Sequence, residues 1–92
     1  MSASSEAIRS RVVRLPDGVD LHARPAGALI RGAAKFEATI TLSAGNRSAD
    51  AKSILQVLAL GATGGSELTV STAGSDGSDA LEAIAHLLEH LA

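Results

Sequence analysis

Two hydrophobic periodicities alternate along this chain, and their order indicates a fold that mixes strands and helices. In residues 37–44, "EATITLSA", apolar and polar residues alternate strictly, which is typical of a half-buried strand. In residues 77–91, apolar residues recur every three or four positions and form one stripe of a helix. The chain therefore combines strands that bury one face with helices that bury one stripe.

The remaining segments complete the order β-α-β-β-α-β-α. We predict strands at residues 8–15, 37–44, 47–50 and 67–72, and helices from 23 to about 36, from 54 to 60 and from 77 to 91. The simplest packing that buries these apolar faces is an α+β open-faced sandwich, in which the helices cover one face of a four-stranded antiparallel sheet. The pattern alone leaves many ferredoxin-like and split βαβ domains open.

The length and composition indicate one small globular domain. Its 92 residues, 46% of them hydrophobic, suffice for a single core, and we expect residues 1–7 to be a frayed tail. Phe36 is the only aromatic residue and cysteine is absent, so Leu, Ile, Val and Ala must build the core without disulfides. The chain contains no apolar run of membrane-spanning length and no apolar signal segment, so we expect no membrane insertion.

The charge distribution bears on the kind of partner. A net charge of −2 and a single aromatic residue argue against nucleic acid, although an RNA-binding α+β domain is the alternative that salt-sensitive binding would support. Seven of the eight Lys and Arg residues precede Asp50, and Lys52 follows closely. A basic region in the N-terminal half suits an anionic ligand or an acidic partner surface.

The segment "VDLHARPAGAL" places a histidine where a helix is predicted to begin. If His22 is the N-cap, Pro25 falls in the first turn, where its missing N–H is not needed. The free N–H groups of such a turn bind phosphate, and the Arg24 guanidinium offers a fork of donors for phosphate oxygens. The alternative is that His22 is an ordinary capping or buried residue.

The same residues have the chemistry that phosphoryl transfer requires. Imidazole is a nucleophile near neutral pH, and positioning and charge stabilisation dominate this reaction. The sequence contains no nucleotide-binding motif. We therefore expect the phosphoryl group to come from another protein, with no cofactor bound here.

Two motifs resemble those of a known family. "LHARPAG" at residues 21–27 is similar to the active-site motif of HPr, the histidine-containing phosphocarrier of the bacterial phosphoenolpyruvate-dependent sugar phosphotransferase system. "AKSILQVLALG" at residues 51–61 resembles the second signature of the family, and the spacing from His22 to Ser53 is the family's spacing. The similarity runs from about residue 8 to the end of the chain, and it implies the same open-faced sandwich.

The resemblance also implies roles for particular residues. His22 would be phosphorylated on Nδ1, and Arg24 would steady the phosphoryl group. Enzyme I would be the donor and the A domains of sugar-specific enzyme II permeases the acceptors, so the protein would be a cytoplasmic, monomeric carrier without turnover of its own. The positions that match the family's docking surface are Ala23, Gly27, Ile54, Leu55 and Leu58; their alternative role is core packing.

Ser53 has two interpretations. In many relatives from Gram-positive bacteria, a kinase phosphorylates the matching serine, and the product acts on a transcription regulator in carbon catabolite repression. The chain would then be a regulatory interaction module that works through Ser53 and the apolar positions around it. A Ser-x-x-Gln capping box with Gln56 explains Ser53 equally well.

Three residues depart from the family pattern, and two histidines lie outside it. Asp20 and Gln56 stand where glycine is common, and Gly27 stands where alanine is usual. Asp20 would change the geometry of the loop or place a carboxylate near the phosphohistidine. His86 and His90 could form an i, i+4 metal pair, but no acid or cysteine obviously completes such a site, and stabilisation of the helix end explains them better.

Overall fold

The computed structural model describes residues 7–91, so residues 1–6 of the tail predicted at residues 1–7 lie outside the described residues. The elements follow the predicted order. They are β1 (Ile8–Arg14), α1 (Ala23–Ala33), β2 (Thr39–Ala44), β3 (Arg47–Asp50), α2 (Ile54–Leu60), β4 (Glu67–Ala73) and α3 (Gly77–Glu89). No helix within residues 7–91 has the length and apolar character needed to cross a membrane.

The four strands form one antiparallel sheet in the order β1-β4-β2-β3. Strand β4 lies in the middle, where Val70 pairs with Arg11 on one side and with Leu42 on the other. Because β2 and β3 are joined by the two-residue turn at residues 45–46, they form a hairpin, as the "AGNR" sequence predicts.

All three helices pack on one face of the sheet, which confirms the predicted open-faced sandwich. The sheet contributes alternate buried side chains to this core, and α3 contributes its apolar stripe. The largest of these buried side chains are Val13, Leu15, Ile40, Leu42, Leu68, Val70, Ile84 and Leu88. Phe36 is only partly buried at the edge of the cluster, so aliphatic side chains and alanines form the centre.

Helix α2 begins and ends at the predicted residues, but its capping differs in one respect. The Ser53 Oγ accepts the Gln56 N–H at 3.3 Å, and Gly61 ends the helix in the left-handed conformation with φ of 68°. The reciprocal half of the predicted capping box is wrong. The Gln56 Oε1 instead accepts the N–H of Asp50 at 2.9 Å, which joins the end of β3 to the first turn of α2.

Helix α1 ends at Ala33, three residues before the predicted end. The Ala34 N–H still donates to Ile30, and the following N–H groups, those of Lys35 and Phe36, donate to Gly32 and Ala33 in a tighter turn. The Phe36 carbonyl oxygen accepts from the Lys52 ammonium group at 2.6 Å, and this contact from another part of the chain holds the turn in place.

Candidate functional site

His22 lies at the N-terminal end of α1, as predicted, and its side chain is exposed to solvent. Its backbone is extended, with φ of −109° and ψ of −160°, and its carbonyl oxygen accepts the Ala26 N–H at 2.7 Å. The imidazole makes no capping hydrogen bond to the helix. The ring is therefore free to react, and it stands where the helix dipole presents its positive end.

The first turn of α1 adds cationic and polar groups beside the ring. Arg24 is exposed, and Pro25 occupies the third helical position, where the absence of an N–H costs the helix no hydrogen bond. The N–H groups of Ala23 and Arg24 have no acceptor one turn back within the helix. The structure thus brings the predicted histidine and arginine to one helix end.

The loop before His22 is bound to the loop between α2 and β4. The Leu21 N–H donates to the Ala62 carbonyl at 2.9 Å, and the Leu21 side chain is buried. Two further backbone bonds join Leu15 to this second loop, through Gly65 and Ser66. The position of His22 is consequently fixed by residues about 40 positions later in the sequence.

Asp20 takes part in the same contact between loops. Its Oδ1 accepts the Gly64 N–H at 2.8 Å, and its main-chain oxygen accepts the His22 N–H at 2.8 Å. The sequence predicted an altered loop or a carboxylate near the phosphohistidine. The structure gives the carboxylate a partner of its own in the loop at residues 61–66.

The predicted docking residues of α2 lie at the surface. Ile54, Leu55 and Leu58 are exposed by 39, 77 and 37%, whereas Val57 and Leu60 of the same helix are buried in the core. Exposure of three large aliphatic side chains on a seven-residue helix is not explained by packing within the domain. The alternative role as core residues is therefore wrong for Ile54, Leu55 and Leu58.

Gly27 of α1 is half-buried, and the Arg31 guanidinium lies over it. A Cβ at Gly27 would come within 3.4 Å of Arg31 Nη1, which is an ordinary contact distance. Arg31 is exposed one turn after Gly27 and two turns after Arg24. These two arginines supply the positive charge of α1, which has no acidic residue in its first turn.

Ser53 is half-buried at the start of α2 and uses its oxygen as a cap. Its backbone N–H donates to Asp50 at 3.0 Å, so the residue is fixed by both its backbone and its side chain. The two interpretations of Ser53 are compatible, because the cap uses the hydroxyl as an acceptor and leaves its proton free.

The remaining two histidines lie together in the last turns of α3. Their rings stack with centroids 4.1 Å apart, and His90 Nδ1 lies 2.8 Å from the carbonyl oxygen of His86. Within residues 7–91, no third His, Cys, Asp or Glu joins them in a cluster that could hold a metal ion. The His90 ring thus contacts a carbonyl oxygen at the C-terminal end of α3, where the sequence predicts a dipole interaction.

The fold and this site together define a small α+β domain that presents a histidine at a helix start. The family model described as "PTS HPr component phosphorylation site" matches residues 9–90, and the chain belongs to the HPr family of phosphocarrier proteins. A curated relative, the phosphocarrier protein HPr of Mycoplasma capricolum, is 40% identical over 70 residues, which are 76% of this chain and 79% of the relative.

Solved structures agree with this assignment. The crystal structure of phosphocarrier protein HPr from Bacillus anthracis superposes with a TM-score of 0.86 at 34% identity, covering 90% of this chain and 99% of that one. The solution structure of Crh, described as the Bacillus subtilis catabolite repression HPr, has a TM-score of 0.72 at 31% identity and covers 91% of this chain and 98% of that one.

Two contacts of the site were not predicted from the sequence. One is the hydrogen bond between Asp20 and Gly64, and the other is the Arg14 guanidinium donating to the Gly65 carbonyl at 2.8 Å. The composition of the glycine-rich segment "GATGGS" indicates a turn but no particular partner. Its glycines allow close backbone approach, but a sequence does not indicate which other loop approaches them.

Proposed function

We propose that this protein accepts a phosphoryl group on His22 from phosphorylated Enzyme I and passes it to the A domains of enzyme II permeases. The main support is the exposed imidazole of His22, which has no capping hydrogen bond and lies beside Arg24 at the positive end of α1. Such a group can attack the phosphorus of a donor, and an acceptor can afterwards attack the phosphorus of the phosphohistidine, with the imidazole as the leaving group. The protein is then consumed and regenerated as a carrier, with no cofactor and no turnover alone.

The transfer step follows from the chemistry of imidazole. The lone pair of His22 Nδ1 forms a bond to phosphorus, while the bond between phosphorus and the donor atom breaks and its electron pair stays with the donor. The proton on Nε2 remains on the ring during this step and exchanges with solvent afterwards. The reverse sequence at an acceptor nucleophile removes the phosphoryl group and restores the neutral imidazole.

Charge stabilisation comes from the first turn of α1. The attached phosphoryl group is an anion, and the N–H groups of Ala23 and Arg24 with the helix dipole favour an anion at this end. The Arg24 side chain can donate two parallel hydrogen bonds to phosphate oxygens, which a lysine cannot do with the same geometry. Because transfer depends on position and charge, these groups act on both the incoming and the outgoing step.

Docking is assigned to an apolar surface made of Ala23, Gly27, Ile54, Leu55 and Leu58. Helices α1 and α2 contact each other, so these residues lie on neighbouring elements. Exposed aliphatic groups of this kind are buried when a partner binds, and the arginines of α1 suit acidic residues at the rim of the partner. We expect Enzyme I and the A domains to use the same surface in turn, with the protein acting as a monomer in the cytoplasm.

A labelling assay tests the carrier function. Catalytic Enzyme I with labelled phosphoenolpyruvate should place one acid-labile phosphate on the wild-type chain and none on His22→Ala. Arg24→Ala should still be labelled, at a rate lower by about tenfold to a hundredfold, because one charge-assisted contact to the phosphoryl group is lost. His86→Ala, which changes a histidine at the far end of α3, is the matched control and should be labelled normally. Normal labelling of His22→Ala would refute the assignment.

A regulatory role for Ser53 is the second proposal. It is supported by the similarity to the catabolite repression HPr of Bacillus subtilis and by the half-exposed hydroxyl of Ser53 beside the apolar docking surface. An HPr serine kinase would add about −1.5 to −2 charges there and repel an acidic partner. An effect on a transcription regulator that survives His22→Ala but is lost in Ser53→Ala would support this role; the opposite pattern would exclude it.

A further inference from the structure

The loop that leads into α1 is held by a side chain as well as by backbone bonds. Asp20, two residues before His22, accepts the Gly64 N–H on its Oδ1 at 2.8 Å. The acceptor is a carboxylate oxygen, and a carboxylate forms a charge-assisted hydrogen bond, which is stronger than one between neutral groups. It joins the loop at residues 16–20 to the loop at residues 61–66, across 44 positions of sequence.

The backbone at Gly64 leaves no space for a side chain. A Cβ there would lie 2.6 Å from the backbone nitrogens of Gly18 and Val19 and 2.9 Å from the carbonyl oxygen of Pro16. All three distances are below normal contact, and all three involve backbone atoms that cannot rotate away. Gly64 is therefore in direct contact with the loop that precedes the histidine, and the Asp20 carboxylate fixes that contact.

His22 has no side-chain anchor to replace this support. Its imidazole makes no capping hydrogen bond, so the direction of the ring depends on the backbone from which it projects. That backbone is reached through Asp20, whose main-chain oxygen accepts the His22 N–H at 2.8 Å. A reacting group on a loop needs such a supporting shell to keep its productive geometry.

We propose that Asp20 is a positioning residue, which presents the His22 imidazole to the phosphoryl donor by tying its loop to Gly64. This role rests on the proposed function of His22. The residue acts through the backbone and not by contact with the phosphoryl group. By the resemblance to HPr, glycine is common at this position, and a glycine has no side chain that could accept this hydrogen bond.

Two substitutions at Asp20 separate the hydrogen bond from the charge. Asp20→Gly removes the acceptor, and Asp20→Asn keeps an oxygen that can accept the Gly64 N–H. In steady-state phosphorylation by Enzyme I and phosphoenolpyruvate, we expect Asp20→Gly to lower kcat about tenfold with an unchanged KM for the chain. Asp20→Asn should stay within about twofold of the wild type. Amide hydrogen exchange at Gly64, followed by NMR, should accelerate in Asp20→Gly only.

Asp76→Asn is the matched control for loss of stability. Asp76 is also a carboxylate that accepts backbone N–H groups, from Glu37 at 2.9 Å and Ala38 at 2.8 Å, but it binds the start of β2 and not the loop before His22. At a temperature where every variant is folded, we expect Asp76→Asn to keep the kcat of the wild type. If kcat fell in Asp20→Gly only because that variant is less stable, Asp76→Asn would show a lower kcat as well.

The outcomes distinguish this inference from the function on which it rests. An Asp20→Gly chain with lost protection at Gly64 and a wild-type kcat would refute the positioning role while leaving His22 phosphorylation intact. Equal effects of Asp20→Gly and Asp20→Asn would also refute it, since they would indicate that Asp20 acts by its charge on the phosphoryl group. A wild-type chain that takes no phosphate would contradict the proposed function and the positioning role together.

Discussion

The hydroxyl of Ser53 stabilises the first turn of α2 whether or not a kinase ever modifies it. It accepts the Gln56 N–H at 3.3 Å, and an alanine would leave that N–H without this partner. We therefore expect Ser53→Ala to lower the free energy of unfolding by about 1 kcal/mol, measured by urea titration with circular dichroism. Ser48→Ala, at an exposed position of β3, is the control and should change it by less than about 0.5 kcal/mol. Equal effects of the two substitutions would contradict the role of the cap.

Single residues differ in how far the sequence alone could assign them. His22, Arg24 and Ser53 were placed at helix starts because local spacing determines a cap, and the structure has both helices beginning there. The partner of Asp20 was not predictable, because Gly64 is distant in sequence and its neighbours depend on how two loops pack. Local chemistry is encoded within a few residues, whereas a contact between loops depends on the whole fold.

At the scale of elements, α1 contains two glycines in different surroundings. A Cβ at Gly27 would have an ordinary 3.4 Å contact with Arg31, whereas at Gly32 it would lie 2.9 Å from Leu87 Cδ1 of α3. Since alanine is favoured over glycine in a helix by about 1 kcal/mol, Gly27→Ala should raise the free energy of unfolding by up to that amount. Gly32→Ala should gain less, because the Leu87 side chain must move. Thermal and urea unfolding compare them, and a larger gain at Gly32 would contradict this account.

Asp76 connects α3 to the start of β2 and makes the stability of that junction depend on pH. Hydrogen bonds from the Glu37 N–H first, and from Ala38, hold the pKa of Asp76 below its ordinary value of 3.8, against a partial desolvation that raises it. Lys52 also lowers this pKa. A lowered folded-state pKa means that the stabilisation is present above pH 3.8 and is lost as the pH falls through the lower value.

The substitution Asp76→Asn tests this linkage. We expect it to destabilise the protein at pH 7, because an amide accepts hydrogen bonds less strongly than a carboxylate. The difference in free energy of unfolding between the wild type and Asp76→Asn should be constant near neutral pH and shrink below about pH 4. Urea titrations at several pH values measure it, and a difference that grew on acidification would contradict the assigned direction of the pKa shift.

The ends of the elements show which competing interaction prevailed over the local pattern. The periodicity predicted α1 to about Phe36, but Lys52 binds the Phe36 carbonyl in the turn that follows Ala33, and Asp76 binds the two N–H groups just before β2. Gln56 likewise fits a capping box by sequence, yet its Oε1 accepts from Asp50 at the end of β3. In both places, a polar side chain of one element forms a hydrogen bond to the backbone of another segment, and this bond replaces the one that the local pattern predicts. The four strands and the apolar stripe of α3 were predicted in the right order, but β2 begins at Thr39 and not at residue 37, and α3 ends at Glu89 and not at residue 91. Asp76 binds the N–H groups of Glu37 and Ala38, which precede β2.

Over the whole molecule, stability and the proposed docking use different sides of the same short helix. The core beneath the sheet takes Val57 and Leu60 from α2, and the opposite side leaves Ile54, Leu55 and Leu58 exposed. The proposed carrier site is at the start of helix α1, which contacts α2, so we expect a partner that covers the exposed side of α2 to reach His22 as well. Such a division predicts that substitutions on the two sides of α2 have separable effects.

A pair of substitutions in α2 tests that separation. Leu55 is 77% exposed, so Leu55→Ala should change the free energy of unfolding by less than about 0.5 kcal/mol. Because the side chain is lost from the proposed docking surface, Leu55→Ala should raise the KM for phosphorylation by Enzyme I about tenfold with little change in kcat.

Val57 is fully buried, so Val57→Ala should lower the free energy of unfolding by about 2 kcal/mol yet keep the wild-type KM where the protein remains folded. An unchanged KM in Leu55→Ala would remove Leu55 from the docking surface, and a raised KM in Val57→Ala would mean that docking depends on the packing of α2 beneath it.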